Sequence, residues 1–64
     1  MKNMYDVRQL LKRYNIFIYT GNRSGDAELM ELEIRSLYDA QLIDVTSLQQ
    51  ALLILRKEAA STKK

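Results

Sequence analysis

A single stretch of this chain, residues 16–20 (IFIYT), has the composition of a β-strand. Three of its five residues are β-branched and the other two are aromatic, the types that fit a pleated, half-buried surface. No second run of this kind occurs, so a sheet would require another chain. The stretch is also too short to be a helix of its own. It is therefore expected to lie as an extended connector across helices, with alternate side chains buried. The tip that follows, GNRSG at 21–25, holds both glycines of the chain and reads as a turn.

On either side of this connector the apolar residues recur at helical spacing. Met4, Val7, Leu10, Leu11 and Tyr14 fall at i, i+3, i+4 and i+7 and predict a first amphipathic helix over about 4–14. Asn3 is a suitable N-cap, and Asn15 a suitable left-handed terminator, because asparagine tolerates positive φ. A second helix is expected over about 27–41, capped by Asp26. Its apolar face is read as Leu29, Met30, Leu37 and Ala40, with Glu33 in their midst, extending to the edge of the core. The third, over about 47–60, opens on a Thr46/Gln49 capping box and turns Leu48, Ala51, Leu52, Leu55 and Ala59 inward. Leu53 and Ile54 flank that stripe, one expected over the connector and the other open to solvent. Leu42, Ile43 and Val45 are expected to anchor the second turn, and residues 61–64 to form a disordered tail. The fold class is all-α: one small three-helix domain over 1–64 with an extended connector between its first two helices.

A chain of 64 residues buries only about 60% of the surface its unfolded form exposes. Its core supplies roughly 3–5 kcal/mol unless something staples it. There is no cysteine and no histidine, which removes disulfides, thiolate metal sites and the commonest general base. No nucleophile–base arrangement can be assembled around Ser24, Ser36, Ser47 or Ser61, and GNRSG lacks the lysine and spacing of a phosphate-binding loop. The expectation is a protein that is not an enzyme, with no cofactor and no metal. The start of the sequence lacks the apolar core of a signal peptide, and no apolar run approaches the ~18 residues of a membrane span. A cytoplasmic setting is expected, without a membrane or small-molecule partner.

Charge is segregated along the chain. Residues 1–25 carry five basic side chains and one acidic, residues 26–44 carry six acidic and one basic, and residues 45–64 carry four basic and one acidic. An acidic middle helix is thus expected to be attracted to both neighbours, though exposed pairs of this kind contribute only about 0–1 kcal/mol each. No acidic residue occurs between Asp6 and Asp26, whereas Arg8, Lys12, Arg13 and Arg23 all do. Tyr14, Phe17 and Tyr19 are interleaved with them. Aromatic faces that stack on bases, beside cations that track phosphates, are the ingredients of single-stranded nucleic-acid binding. Arg8, Lys12, Arg13, Tyr19 and Arg23 are the candidate site residues, provided the aromatic residues are not consumed by the core. The competing class is a protein-interaction module, in which the connector edge or the Leu53/Ile54 flank docks a protein partner or a second copy as a homodimer.

Three segments, DVRQLLKRYNIFIYTGNR (6–23), ELMELEIRSLYDAQLID (28–44) and ALLILRKE (51–58), together resemble the YqgQ-like family of small bacterial proteins of unknown function. The most specific part is FIYTG followed by ELMELEIR. The resemblance implies a three-helix bundle in a cytoplasmic protein of Firmicute-type bacteria, with no established activity, cofactor or catalytic residue to transfer. This chain departs from the family at Asn15, where glycine is common, and at Asn22, where aspartate is.

Overall fold

In a computed structural model, which describes residues 1–61, the chain forms three helices: α1 (Met4–Lys12), α2 (Arg23–Asp39) and α3 (Val45–Ser61). The tail expectation at 62–64 lies outside the described residues, and Ser61 belongs to α3. No strand occurs among the described residues, and residues 16–20 have neither helical nor turn structure. The three-helix all-α architecture with its extended connector is as the sequence pattern requires.

The start of α1 follows from Asn3, whose side chain accepts the Asp6 N–H at 3.2 Å. The helix stops at Lys12, two residues before the expected end, because the chain reverses through Asn15 at φ 61°. The Asn15 N–H then reaches the Lys12 carbonyl and the Ile16 N–H the Leu11 carbonyl. That pair of bonds is the Schellman termination, and it satisfies carbonyls the helix would otherwise leave open.

The beginning of α2 differs from expectation. Asn22, not Asp26, is the N-cap: its side chain accepts the Gly25 N–H at 3.0 Å, and its carbonyl the Asp26 N–H at 2.8 Å. The helix therefore begins at Arg23, and most of GNRSG is its first turn rather than a loop. Asparagine and aspartate are equally good caps, so asparagine at position 22 keeps the cap while omitting a charge. Only Gly21, at φ 85°, needs the freedom of glycine. At its far end α2 stops at Asp39 instead of 41, through Gln41 at φ 62°, with Leu42 N–H on the Leu37 carbonyl and Gln41 N–H on that of Tyr38. Both interhelical turns thus begin with the same termination.

The cap of α3 is Asp44, whose side chain accepts the Ser47 N–H at 2.8 Å and whose carbonyl accepts the Leu48 N–H. This replaces the expected Thr46/Gln49 box. The bonds from Ser47 hold the Asp44 carboxyl below its ordinary range.

The core consists of Val7 and Leu11 from α1, Ala27, Met30, Ile34 and Leu37 from α2, and Ala51 and Leu55 from α3. Around it pack Met4, Leu10, Tyr14, Ile16, Ile18, Ile43, Leu48, Leu52, Ile54 and Ala59. The inward stripes of α1 and α3 match their periodicity. The face of α2 is rotated from the expected one: Leu29, Leu32 and Ala40 are exposed, and Glu33 is half-buried at the flank. Leu29, Met30, Leu32, Ile34, Leu37, Tyr38 and Ala40 spread around most of this helix, so periodicity alone does not select among faces. The choice falls to Ala27, Met30, Ile34 and Leu37, the three-and-four-residue ridge that runs against α3. In the second turn only Ile43 anchors, Leu42 and Val45 being exposed. Beside the core stripe of α3, Ile54 is half-buried and Leu53 open.

Ile34→Ala should lose about 2–5 kcal/mol, a large share of what a domain this size holds. Leu32→Ala, at an exposed position of the same helix, should shift stability by no more than about 0.5 kcal/mol. Urea denaturation followed by circular dichroism separates the two. Equal losses would mean that the face of α2 is misassigned.

Candidate functional site

The connector is held to the helices at both ends and in its middle. Ile16 is fixed by the termination of α1. Ile18 offers its carbonyl to Arg8 Nη1 at 3.2 Å. Thr20 donates both its main-chain N–H, at 2.7 Å, and its hydroxyl, at 2.6 Å, to Asp26 Oδ1. Asp26 is almost fully buried, with Arg8 Nη2 at 4.0 Å from its other oxygen. It is not the cap, because it lies within the first turn of α2, and its Oδ1 accepts from the connector instead. The Thr20 hydroxyl, then the Thr20 N–H, and to a smaller degree the Arg8 guanidinium hold its carboxyl below the ordinary aspartate range, against the opposing effect of burial.

Held in this way, the connector presents alternate residues to opposite sides. Ile16 and Ile18 pack on the core. Phe17 is 71% exposed and Tyr19 85% exposed. In extended backbone, side chains two apart share a face with their Cα atoms roughly 6–7 Å apart, so the two rings stand side by side facing solvent. Tyr14 belongs to the core margin instead, its hydroxyl donating to the Leu42 carbonyl at 3.2 Å and tying the end of α1 to the second turn.

Between this connector and α1 runs an open trough of about 470 Å³. Its apolar residues are Leu11, Ile16, Ile18 and Met30. Along α1 lie Arg8, Gln9 and Lys12, and along the connector Phe17 and Tyr19. Of the candidate site residues, the fold brings Arg8, Lys12 and Tyr19 together here. Arg8, though exposed, is partly committed to Ile18 and Asp26, which leaves Lys12 as the cation of the group with no side-chain partner among the described residues.

Arg13 and Arg23 are placed elsewhere. Arg13 borders a separate depression with Asp6, Gln9 and Ser47. Arg23 is drawn across to α3, its Nε lying 3.4 Å from Glu58 Oε2. Phe17 and Gln9 are the site residues that sequence reasoning omitted. The parity that puts Phe17 beside Tyr19 was visible, but a small core's demand for aromatic residues argued the other way. The pairing of Arg56 of α3 with Glu31 of α2, at 3.8 Å, follows the segregation of charge, while Arg35, at 2.9 Å from the same carboxylate, pairs with it inside α2.

The helices and connector define a small three-helix bundle, and the chain belongs to the YqgQ-like family, whose model matches residues 1–61. The chain is 38% identical over 63 residues to the uncharacterized protein YqgQ of Bacillus subtilis (strain 168), covering 98% of this chain and 89% of that protein. No helix among the described residues is long and apolar enough to cross a membrane.

The depressed Asp26 carboxyl predicts a pH dependence. A folded-state value below the unfolded one, near 4, makes its contribution complete above about pH 4. That contribution is lost as the pH falls through the folded value. The melting temperature should stay level from neutral pH to about pH 5 and fall in more acid solution. Asp26→Ala should melt lower at neutral pH, with a shallower acid decline, and its Thr20 amide should lose hydrogen-exchange protection. An unchanged acid profile in Asp26→Ala would show that the tie contributes nothing.

Proposed function

We propose that this chain is a non-enzymatic binding module of the cytoplasm whose trough and outward connector face hold single-stranded nucleic acid. The observation that carries the reading is the simultaneous exposure of Phe17 and Tyr19 on one side of the connector, within a surface shared with Lys12 and Arg8. Solvent exposure of a lone aromatic ring is unremarkable. Two rings in register, held on a connector fixed at Ile16, Ile18 and Thr20, form a platform prepared before any ligand arrives. Pre-ordering lowers the entropy cost of binding.

Each part of the surface has a task in this reading. Phe17 and Tyr19 stack on neighbouring bases, an interaction indifferent to base identity because every base has a π-face. Lys12 neutralises a phosphate on the trough's other side. Arg8 directs the remaining part of its charge the same way while bracing the connector. Gln9, with an acceptor and two donors, faces base edges. With one exposed aromatic pair and little free charge, binding is expected to be weak, salt-sensitive and tolerant of sequence.

A labelled oligonucleotide titrated at low and moderate salt tests this. Phe17→Ala and Tyr19→Ala should each weaken binding by about 5- to 150-fold, corresponding to about 1–3 kcal/mol per stacked base. Lys12→Ala should reduce the slope of log K against log salt by about 0.7, the share of one single-strand phosphate contact. Arg13→Ala/Arg23→Ala should change affinity less than Lys12→Ala/Tyr19→Ala. Absence of binding at low salt, or full affinity in a Phe17→Ala/Tyr19→Ala variant, would overturn the proposal.

A further inference from the structure

The connector has a second unusual property, which lies in its main chain rather than its side chains. In extended backbone the N–H and C=O of one residue point to the same edge, and those of the next residue to the opposite edge. The edge formed by Ile16, Ile18 and Thr20 is used internally: Ile16 N–H bonds to Leu11, Ile18 C=O to Arg8 and Thr20 N–H to Asp26. On the other edge the N–H and C=O groups of Phe17 and Tyr19 have no protein partner among the described residues. Nothing in residues 16–20 blunts this edge as exposed strand edges usually are blunted, since the stretch contains no charge and no proline.

We infer that this edge pairs with the same edge of a second copy of the chain, forming a two-stranded antiparallel ribbon across a two-fold axis at Ile18. This rests on the unused main-chain groups, not on the nucleic-acid reading. The register is set by the sequence. With Ile18 opposite its own copy, Phe17 lies opposite Tyr19 of the partner subunit and exchanges both main-chain hydrogen bonds with it, and the symmetry repeats the exchange. All four open groups of each copy are then satisfied. Each cross-strand pair joins two aromatic residues on the outward face, a favourable combination, with no like charges opposed. The ribbon ends naturally at residues 16 and 20, because Asn15 and Gly21 have positive φ and turn the chain away on both sides.

The area involved sets the strength. Four rings of this size, exposed to the degree observed here, can remove at most about 500–800 Å² from water. That falls below the ~1,200 Å² at which stable complexes begin. The dimer is therefore weak and concentration-dependent, and it enlarges the aromatic platform from two rings to four without covering its outer face.

Sedimentation equilibrium of the full chain without nucleic acid, from about 10 µM to about 1 mM, a range in which weak dimers assemble, reads this directly. Wild type should pass from monomer towards dimer mass across the series. Tyr19→Lys, which places like charges along the ribbon at an exposed position, should remain monomeric, and Leu53→Lys, on α3, should dimerise as wild type does. Isotope-filtered NMR on the wild type should show contacts between Phe17 of one copy and Tyr19 of the other. A monomer throughout, or a dimer unaffected by Tyr19→Lys and lacking those contacts, would overturn the inference. Either result leaves oligonucleotide binding to be judged separately.

Discussion

Everything distinctive about this bundle depends on where Asp26 directs its carboxylate. A three-helix core of eight buried apolar side chains needs no help from an aspartate to exist, but the connector does. Its own residues make no sheet and no helix, so its position must be imposed from outside. Asp26 does this by taking two hydrogen bonds from Thr20, while Arg8 holds the Ile18 carbonyl and approaches Asp26. A buried carboxylate without such partners would be costly. Here the desolvation is offset by two short bonds, and the outcome is a fixed extended connector lying along α1.

Fixing the connector fixes its parity. Once Ile16 and Ile18 are on the core, Phe17 and Tyr19 have no choice but to face solvent, and their main-chain groups no choice but to lie on the free edge. An outward aromatic pair and an unpaired main-chain edge are thus two consequences of one tie. A domain this small gains little by exposing one Phe and one Tyr when its core could use them. That expense is easier to understand if the rings meet something, and the cations on the facing wall narrow what that something is.

The sequence disclosed the helices and the inward stripes of α1 and α3, and left the rotation of α2 open. Asn3 and Asn15 were legible because asparagine is a strong signal at an N-cap and at positive φ. Gln41 was not, since glutamine carries no left-handed preference and only the constraint of the second turn forces it there. Asn22 and Asp26 are equally competent caps, and the choice between them was settled by Thr20, a contact no local pattern contains. The face of α2 was ambiguous because apolar residues surround it, and packing against α3 decided for Ile34 over Leu29. Chain proximity grouped Arg13 and Arg23 with Lys12, but α1's own pitch turns Arg13 aside and Glu58 draws Arg23 towards α3. The fold class was therefore readable throughout, the candidate surface only in part.

The proposed function requires the connector and the α1 wall facing it to act as one binding surface. Amide chemical-shift mapping with a short single-stranded oligonucleotide at low salt tests it most directly. The predicted result is a contiguous set of perturbations at Gln9, Lys12, Phe17 and Tyr19, with α3 around Leu53 silent. Perturbations centred on α3, or none anywhere at saturating oligonucleotide, would contradict it.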